Sequence, residues 1–163
     1  MDIRKIYEYA LQREHAGREF FESNAERMSH AAAAGIFRRL ADEEQKHITF
    51  IESLLHSLDG AESPVEPSNQ LEEEDRFSKR AESEMLDQTV IESMIPDVAV
   101  LRMAYLIERD FAEFYEMAAD RVQDEVARLT LQTLARWERG HERLFQNLHD
   151  KAFELYAGMP WGG

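Results

Sequence analysis

Residues 33–58, AAGIFRRLADEEQKHITFIESLLHSL, decide how this chain is read. Apolar residues recur at intervals of three and four through Ala33, Phe37, Leu40, Ile51, Leu54 and Leu58, the spacing of one inward face of an α-helix. Glu44 and His47 fall on the same face, where two more core residues are expected. The interruption recurs along the chain. A stripe before it runs Ile3, Tyr7, Ala10, Glu14, Gly17, Phe21, Asn24 and Met28. Two stripes after it run Leu101, Ala104, Glu108, Phe111, Tyr115, Ala118, Val122 and Ala127, Leu131, Leu134, Glu138, His141, Phe145, Leu148, Ala152. Four helices therefore bring four glutamates and two histidines toward one core. A buried carboxylate without a partner is strongly destabilising, so this set calls for cations.

The two helix pairs form an internal repeat with a shift of 94 residues, which carries Glu14 onto Glu108, Glu44 onto Glu138 and His47 onto His141. The match extends to Ala10/Ala104, Phe20/Phe114, Phe21/Tyr115, Ala25/Ala119 and Leu40/Leu134. A lone Glu-x-x-His means little in so acidic a chain. The shared inward register is what chance does not supply. Carboxylate and imidazole at i and i+3 project to one side of a helix and can reach one metal or two adjacent ones. Four carboxylates and two neutral imidazoles balance two divalent cations, and oxygen and nitrogen donors without sulfur suit iron or manganese. A lone tetrahedral zinc would not use six protein ligands.

The 163 residues make one domain able to bury most of its apolar surface in a single core. With 33 acidic against 19 basic residues the net charge is −14, which argues against nucleic acid or an anionic membrane as partner. There is no cysteine, which removes disulfides, iron–sulfur clusters and thiolate-bound metal. The first residues, Met1-Asp2-Ile3-Arg4-Lys5, lack the apolar core of a signal peptide, and no apolar run is long enough for a membrane span. A soluble, cytoplasmic protein is expected.

The pattern predicts an all-α four-helix bundle over residues 1–157, with repeat halves 1–59 and 97–157, a crossover 60–96 and a short tail 158–163. The first two helices, 2–28 and 30–59, meet near Ser29 with almost no loop and should be antiparallel neighbours. The third should start at Asp97 as cap, after Pro96, and the fourth at Asp124, with Gly158 and Pro160 ending it. Pro64 and Pro67 break the chain after the second helix. An extra helical segment is expected from Asn69, in capping-box spacing with Glu72, to about Met94. So long a connection lets the third helix start at the end opposite to where the second stops. Its second half, with Met85, Leu86, Ile91 and Met94, needs cover, and a homodimer is expected to give it.

Glu14, Glu44-Gln45-Lys46-His47, Glu108 and Glu138-Arg139-Gly140-His141 resemble the di-iron ligands of the ferritin-like superfamily, closest to rubrerythrin-type domains. The resemblance runs from residue 1 to about 155 and implies two iron ions, with manganese or a mixed pair as variants. It implies that Glu44 and Glu138 bridge them, while Glu14 with His47 and Glu108 with His141 complete the two ends. The implied function is an oxidoreductase that reacts with peroxide or dioxygen and draws electrons from an external redox protein or from Fe2+. No catalytic residue beyond the ligands is implied. The sequence departs from the resemblance twice. It has no cysteines for a rubredoxin module, and Phe111 stands where rubrerythrins usually place a second glutamate of the third helix. A ferroxidase or iron-storage subunit of a larger assembly is the alternative, and a metal-free structural bundle a third.

Other residues are weaker candidates. Tyr105 and Tyr115 lie within two turns of Glu108 and can hydrogen-bond a ligand, though core packing is the commoner role. Trp137 is expected to point away from the seam. Glu22 and Glu116 flank the inward face symmetrically and read as solvated. His15, His30, His56 and His149 fall off the stripes and read as surface or boundary residues, and the tail Gly158–Gly163 as unpacked.

Overall fold

The computed structural model describes residues 2–28, 30–60 and 88–160. Four long helices dominate: α1 (Ile3–Ala25), α2 (Ala31–Leu58), α4 (Val98–Ala119) and α5 (Glu125–Gly158), with a short α3 (Gln88–Ser93) and a 3-10 turn (Ile95–Asp97) before α4. The predicted crossover helix from Asn69, its Asn69/Glu72 capping box, Met85 and Leu86 lie outside the described residues, as do Trp161, Gly162 and Gly163 of the tail.

Helix starts follow backbone geometry. Asp2, His30 and Asp124 have extended backbones that swing the side chain back over the first free amides. Asp124 accepts from the Ala127 amide at 2.8 Å, as expected, and His30 Nδ1 accepts from Ala32 at 3.2 Å, a role its sequence position did not announce. Asp97 differs from expectation. It closes the 3-10 turn with ψ near 8° in place of the extended backbone of a cap, and its carboxylate makes no capping bond.

Cross-chain contacts set the topology. Arg4 pairs with Asp59 and Phe21 meets Phe37, so α1 and α2 are antiparallel. Glu116 pairs with Arg139 and Tyr105 meets His149, so α4 and α5 are antiparallel as well. Phe37 packs on Phe145 and Phe50 on Trp137, which sets α2 against α5 in the same sense. By elimination α2 and α4 run parallel. The chain therefore leaves α2 at one end of the bundle and enters α4 from the other, the crossover of a ferritin-like bundle.

The inward stripes hold, except that Leu58 is exposed and Ile3, Asn24 and Met28 are half-buried. Their apolar residues form two separate clusters. One, around Phe21, Phe37, Leu101 and Phe145, also takes in Ile91 and Met94. The other gathers Ile51, Phe111, Tyr115, Leu131 and Trp137. Ile91 and Met94 are thus covered by their own chain, which removes part of the argument for a homodimer.

Candidate metal centre

Between the two apolar clusters lies a polar layer. α1 contributes Glu14, α2 Glu44 and His47, α4 Glu108, and α5 Glu138 and His141, every one buried to within 1% of full exclusion from solvent. All six residues singled out from the sequence meet here. Each sits on an inward stripe in mid-helix, so packing at both ends of the layer fixes its side chain.

Donor atoms of Glu44, Glu108, Glu138 and His141 lie within 4.8 Å of one another, and so do those of Glu14, Glu44 and His47. Glu44 belongs to both groups. Glu138 reaches both ends as well, with Oε1 3.0 Å from His47 Nδ1 and Oε2 3.7 Å from His141 Nδ1. His47 Nδ1 also stands 3.2 Å from Glu14 Oε2. Glu108 Oε2 is 3.8 Å from His141 Nδ1, too far for a hydrogen bond.

The layer is short of partners. Among the described residues, both oxygens of Glu44, Glu108 and Glu138 and both ring nitrogens of His141 lack a well-aligned hydrogen bond although water is excluded, the Glu138 Oε1–His47 Nδ1 approach being an ion-pair contact. Native interiors rarely leave such groups unmatched, and so many in one place point to an ion that takes their lone pairs. The donor set, carboxylate oxygen and imidazole nitrogen, fits a pair of divalent cations. Glu14 alone of the four carboxylates is satisfied, accepting from the Tyr115 hydroxyl and facing His47.

Charge crowding shows in the proton affinities. Burial raises Glu44 well above the usual carboxylate range, with repulsion from Glu138, Glu14 and Glu108 adding to it. Burial likewise pushes Glu108 up to about 8 against the pull of His141. Burial would raise Glu138 too, but His47 and His141 outweigh it and hold that carboxyl well below its ordinary value. Burial alone would lower His141, yet Glu108 and Glu138 carry it up to about 10. Tyr115 is raised by burial and then by Glu14, so its hydroxyl keeps its proton and remains a donor.

The remaining candidates divide. Tyr115 bonds a site carboxylate, one of its two expected roles, whereas Tyr105 packs edge-on against His149. Trp137 corrects the expectation. It is 3% exposed and stacks on the His47 ring at 5.0 Å and 8°, with its indole N–H buried and unmatched among the described residues. It lies three residues after Leu134 and four before His141, so helical spacing allowed it inside. Glu22 and Glu116 are exposed, as expected, and each has an arginine partner: Arg18 holds Glu22 at 2.7 Å and Arg139 holds Glu116 at 2.7 Å. Arg139 thereby lowers the Glu116 pKa.

A crossover bundle with one glutamate from the first helix of each hairpin and Glu-x-x-His from the second is a ferritin-like bundle with a buried carboxylate–histidine cluster. Sequence comparison narrows the class: the rubrerythrin family profile matches residues 5–149, and the chain belongs to that family. No curated protein and no solved structure gives a significant match. Among the described residues, no helix is long and apolar enough to cross a membrane.

Proposed function

We propose that this protein is a non-haem di-iron or di-manganese oxidoreductase that reduces peroxide or dioxygen with electrons from an external redox protein or Fe2+. The observation that carries this reading is the set of unmatched carboxylate oxygens and imidazole nitrogens in a layer sealed between two apolar clusters. A metal-free bundle would have two imidazoles to set against four buried carboxylates, so the structural alternative is disfavoured.

In this reading Glu44 and Glu138 would be the residues common to both ions, Glu14 with His47 would hold one, and Glu108 with His141 would hold the other. When bound, the metal pair supplies a two-electron redox couple. Reduction of hydrogen peroxide to two waters consumes two electrons and two protons, so donor and solvent must deliver both. The chain's own part is positional. Tyr115 donates to Glu14 Oε1 and holds that carboxylate in one orientation, while the apolar clusters keep bulk water from the layer. Trp137 braces the His47 ring through its stacked face.

Metal analysis of protein isolated without added metal, followed by anaerobic Fe2+ loading and exposure to peroxide or dioxygen, tests the reading. Two metal ions per chain and stoichiometric oxidation by either oxidant are expected. Protein that retains no metal after loading would overturn it. Iron uptake far beyond the two groups, in a large assembly, would favour the storage alternative.

A further inference from the structure

The two repeat halves share the residues of the layer but not all those packed beside it, and one of these differences joins α1 to α4. The shift that carries Glu14 onto Glu108 also carries Gly17 onto Phe111, so the repeat has its smallest residue opposite one of its larger ones. They meet in space. A Cβ on Gly17 would lie 3.0 Å from Phe111 Cε2 and 3.3 Å from Glu44 Oε2. The Phe111 ring therefore rests on bare backbone of α1, beside a carboxylate oxygen of the layer. Both imidazoles come from α2 and α5, so this α1–α4 side is the less furnished one.

Immediately outside lies an open groove of about 340 Å3, lined by Tyr9, Arg13, Gly17, Ile107 and Phe111 among others. Arg13 sets its guanidinium 4.5 Å from the centre of the Phe111 ring. Its Nε is buried and has no acceptor among the described residues. A mostly apolar groove with an unmatched N–H suits a small solute that can accept a hydrogen bond there in place of one it had from water. Hydrogen peroxide is small and can accept that bond, and the Phe111 ring packed against Gly17 leaves less room for a bulky organic hydroperoxide.

We propose that the groove between α1 and α4 is the port through which a small peroxide reaches the layer, with Phe111 as its shutter and size filter and Arg13 Nε as the donor beside the ring. The inference rests on the metal reading above. Gly17 gives Phe111 its seat, and the seated ring stands between the groove and the layer. Phe111 is a specificity-determining residue here because its bulk lies between the groove and Glu44.

The test uses whole protein loaded anaerobically with Fe2+, as wild type, Phe111→Ala, the milder Phe111→Leu, Gly17→Ala and Arg13→Ala. Metal content is measured first. Azide association with the oxidised protein then reports access without turnover, and oxidation by hydrogen peroxide against cumene hydroperoxide reports size selection. In metal-replete Phe111→Ala and Phe111→Leu, azide association should speed by about tenfold and the preference for hydrogen peroxide shrink by about as much. Gly17→Ala should slow azide, and Arg13→Ala should raise KM for hydrogen peroxide while kcat is kept. Unchanged azide rates and unchanged selectivity in both metal-replete Phe111 variants would overturn the port alone. Wild-type protein that takes up no metal would overturn the metal reading and the port with it.

Discussion

Removing the metal should destabilise the protein by an amount the layer itself sets. Without an ion, six carboxylate oxygens and both nitrogens of His141 stay desolvated and unmatched. With free metal at a thousand times its Kd, a single site stabilises the native state by about 4 kcal/mol. In a chain of this length each kcal/mol moves the melting midpoint by about 2–4 °C, so one saturated site should raise Tm by about 8–16 °C. The assay is calorimetric melting of chelator-treated protein against protein with Mn2+, or with Fe2+ under anaerobic conditions. A net charge of −14 means that any divalent cation relieves some repulsion, so Mg2+ at equal ionic strength is the baseline. Glu44→Ala, which takes away the residue common to both donor groups, should lose most of the shift. A midpoint that Mn2+ moves no further than Mg2+, or a shift as large in Glu44→Ala as in wild type, would refute the reasoning.

Glu44→Ala and Glu138→Ala should each strip metal from both ends of the layer, whereas Glu14→Ala and Glu108→Ala should keep at least one ion; elemental analysis showing equal loss in all four would reject the bridging roles. Metal-free protein should lose stability steadily between about pH 5 and pH 8, because Glu44, Glu108 and His141 all bind protons more tightly folded than unfolded. Their stabilisation is complete below the ordinary values and disappears as pH rises through the folded ones. Glu138 acts in the opposite sense, but only at lower pH. Melting that rises or stays flat across this window would contradict the assignment. Phe145 is fully buried, stacked on Phe21 at 5.4 Å and edge-on to Phe37 at 5.3 Å, so Phe145→Ala should cost about 3–5 kcal/mol in urea unfolding. A loss under about 1 kcal/mol would mean that this ring cluster does not hold its end of the bundle.

The six residues of the layer were legible because a mid-helix position on a period of three to four residues has one direction to face. The repeat then gave the same direction twice. Trp137 was misread because a single seam was drawn through a helix that packs against two neighbours. An apolar face is broader than one line of side chains, and Leu134, Trp137, Glu138 and His141 all fit within it. Glu43 shows the same effect: it is 7% exposed, next to Glu44, and compensated by Lys46 at 2.8 Å. Asp97 was misread because capping depends on backbone dihedrals, which the residue type does not specify. The seat of Phe111 on Gly17 joins residues 94 positions apart, and no local pattern announces it. Nor did spacing alone tell that α3 would bring Ile91 and Met94 back onto the bundle's own core.

Because the polar layer cuts across the bundle, the apolar interior consists of two blocks, each drawing on all four long helices. Each block has the makings of a separate cooperative unit, and only the continuous helices and the layer between them couple the two. An ion shared by Glu44 and Glu138 would tie α2 to α5 at the seam, so that opening either block would tug on ligands that serve the other. Bound metal would thus set how far local fluctuations spread. With the seam riveted, amide exchange at both ends should follow one global opening; with the rivet removed, the end holding Phe21 and Phe145 and the end holding Ile51 and Leu131 are free to breathe out of step.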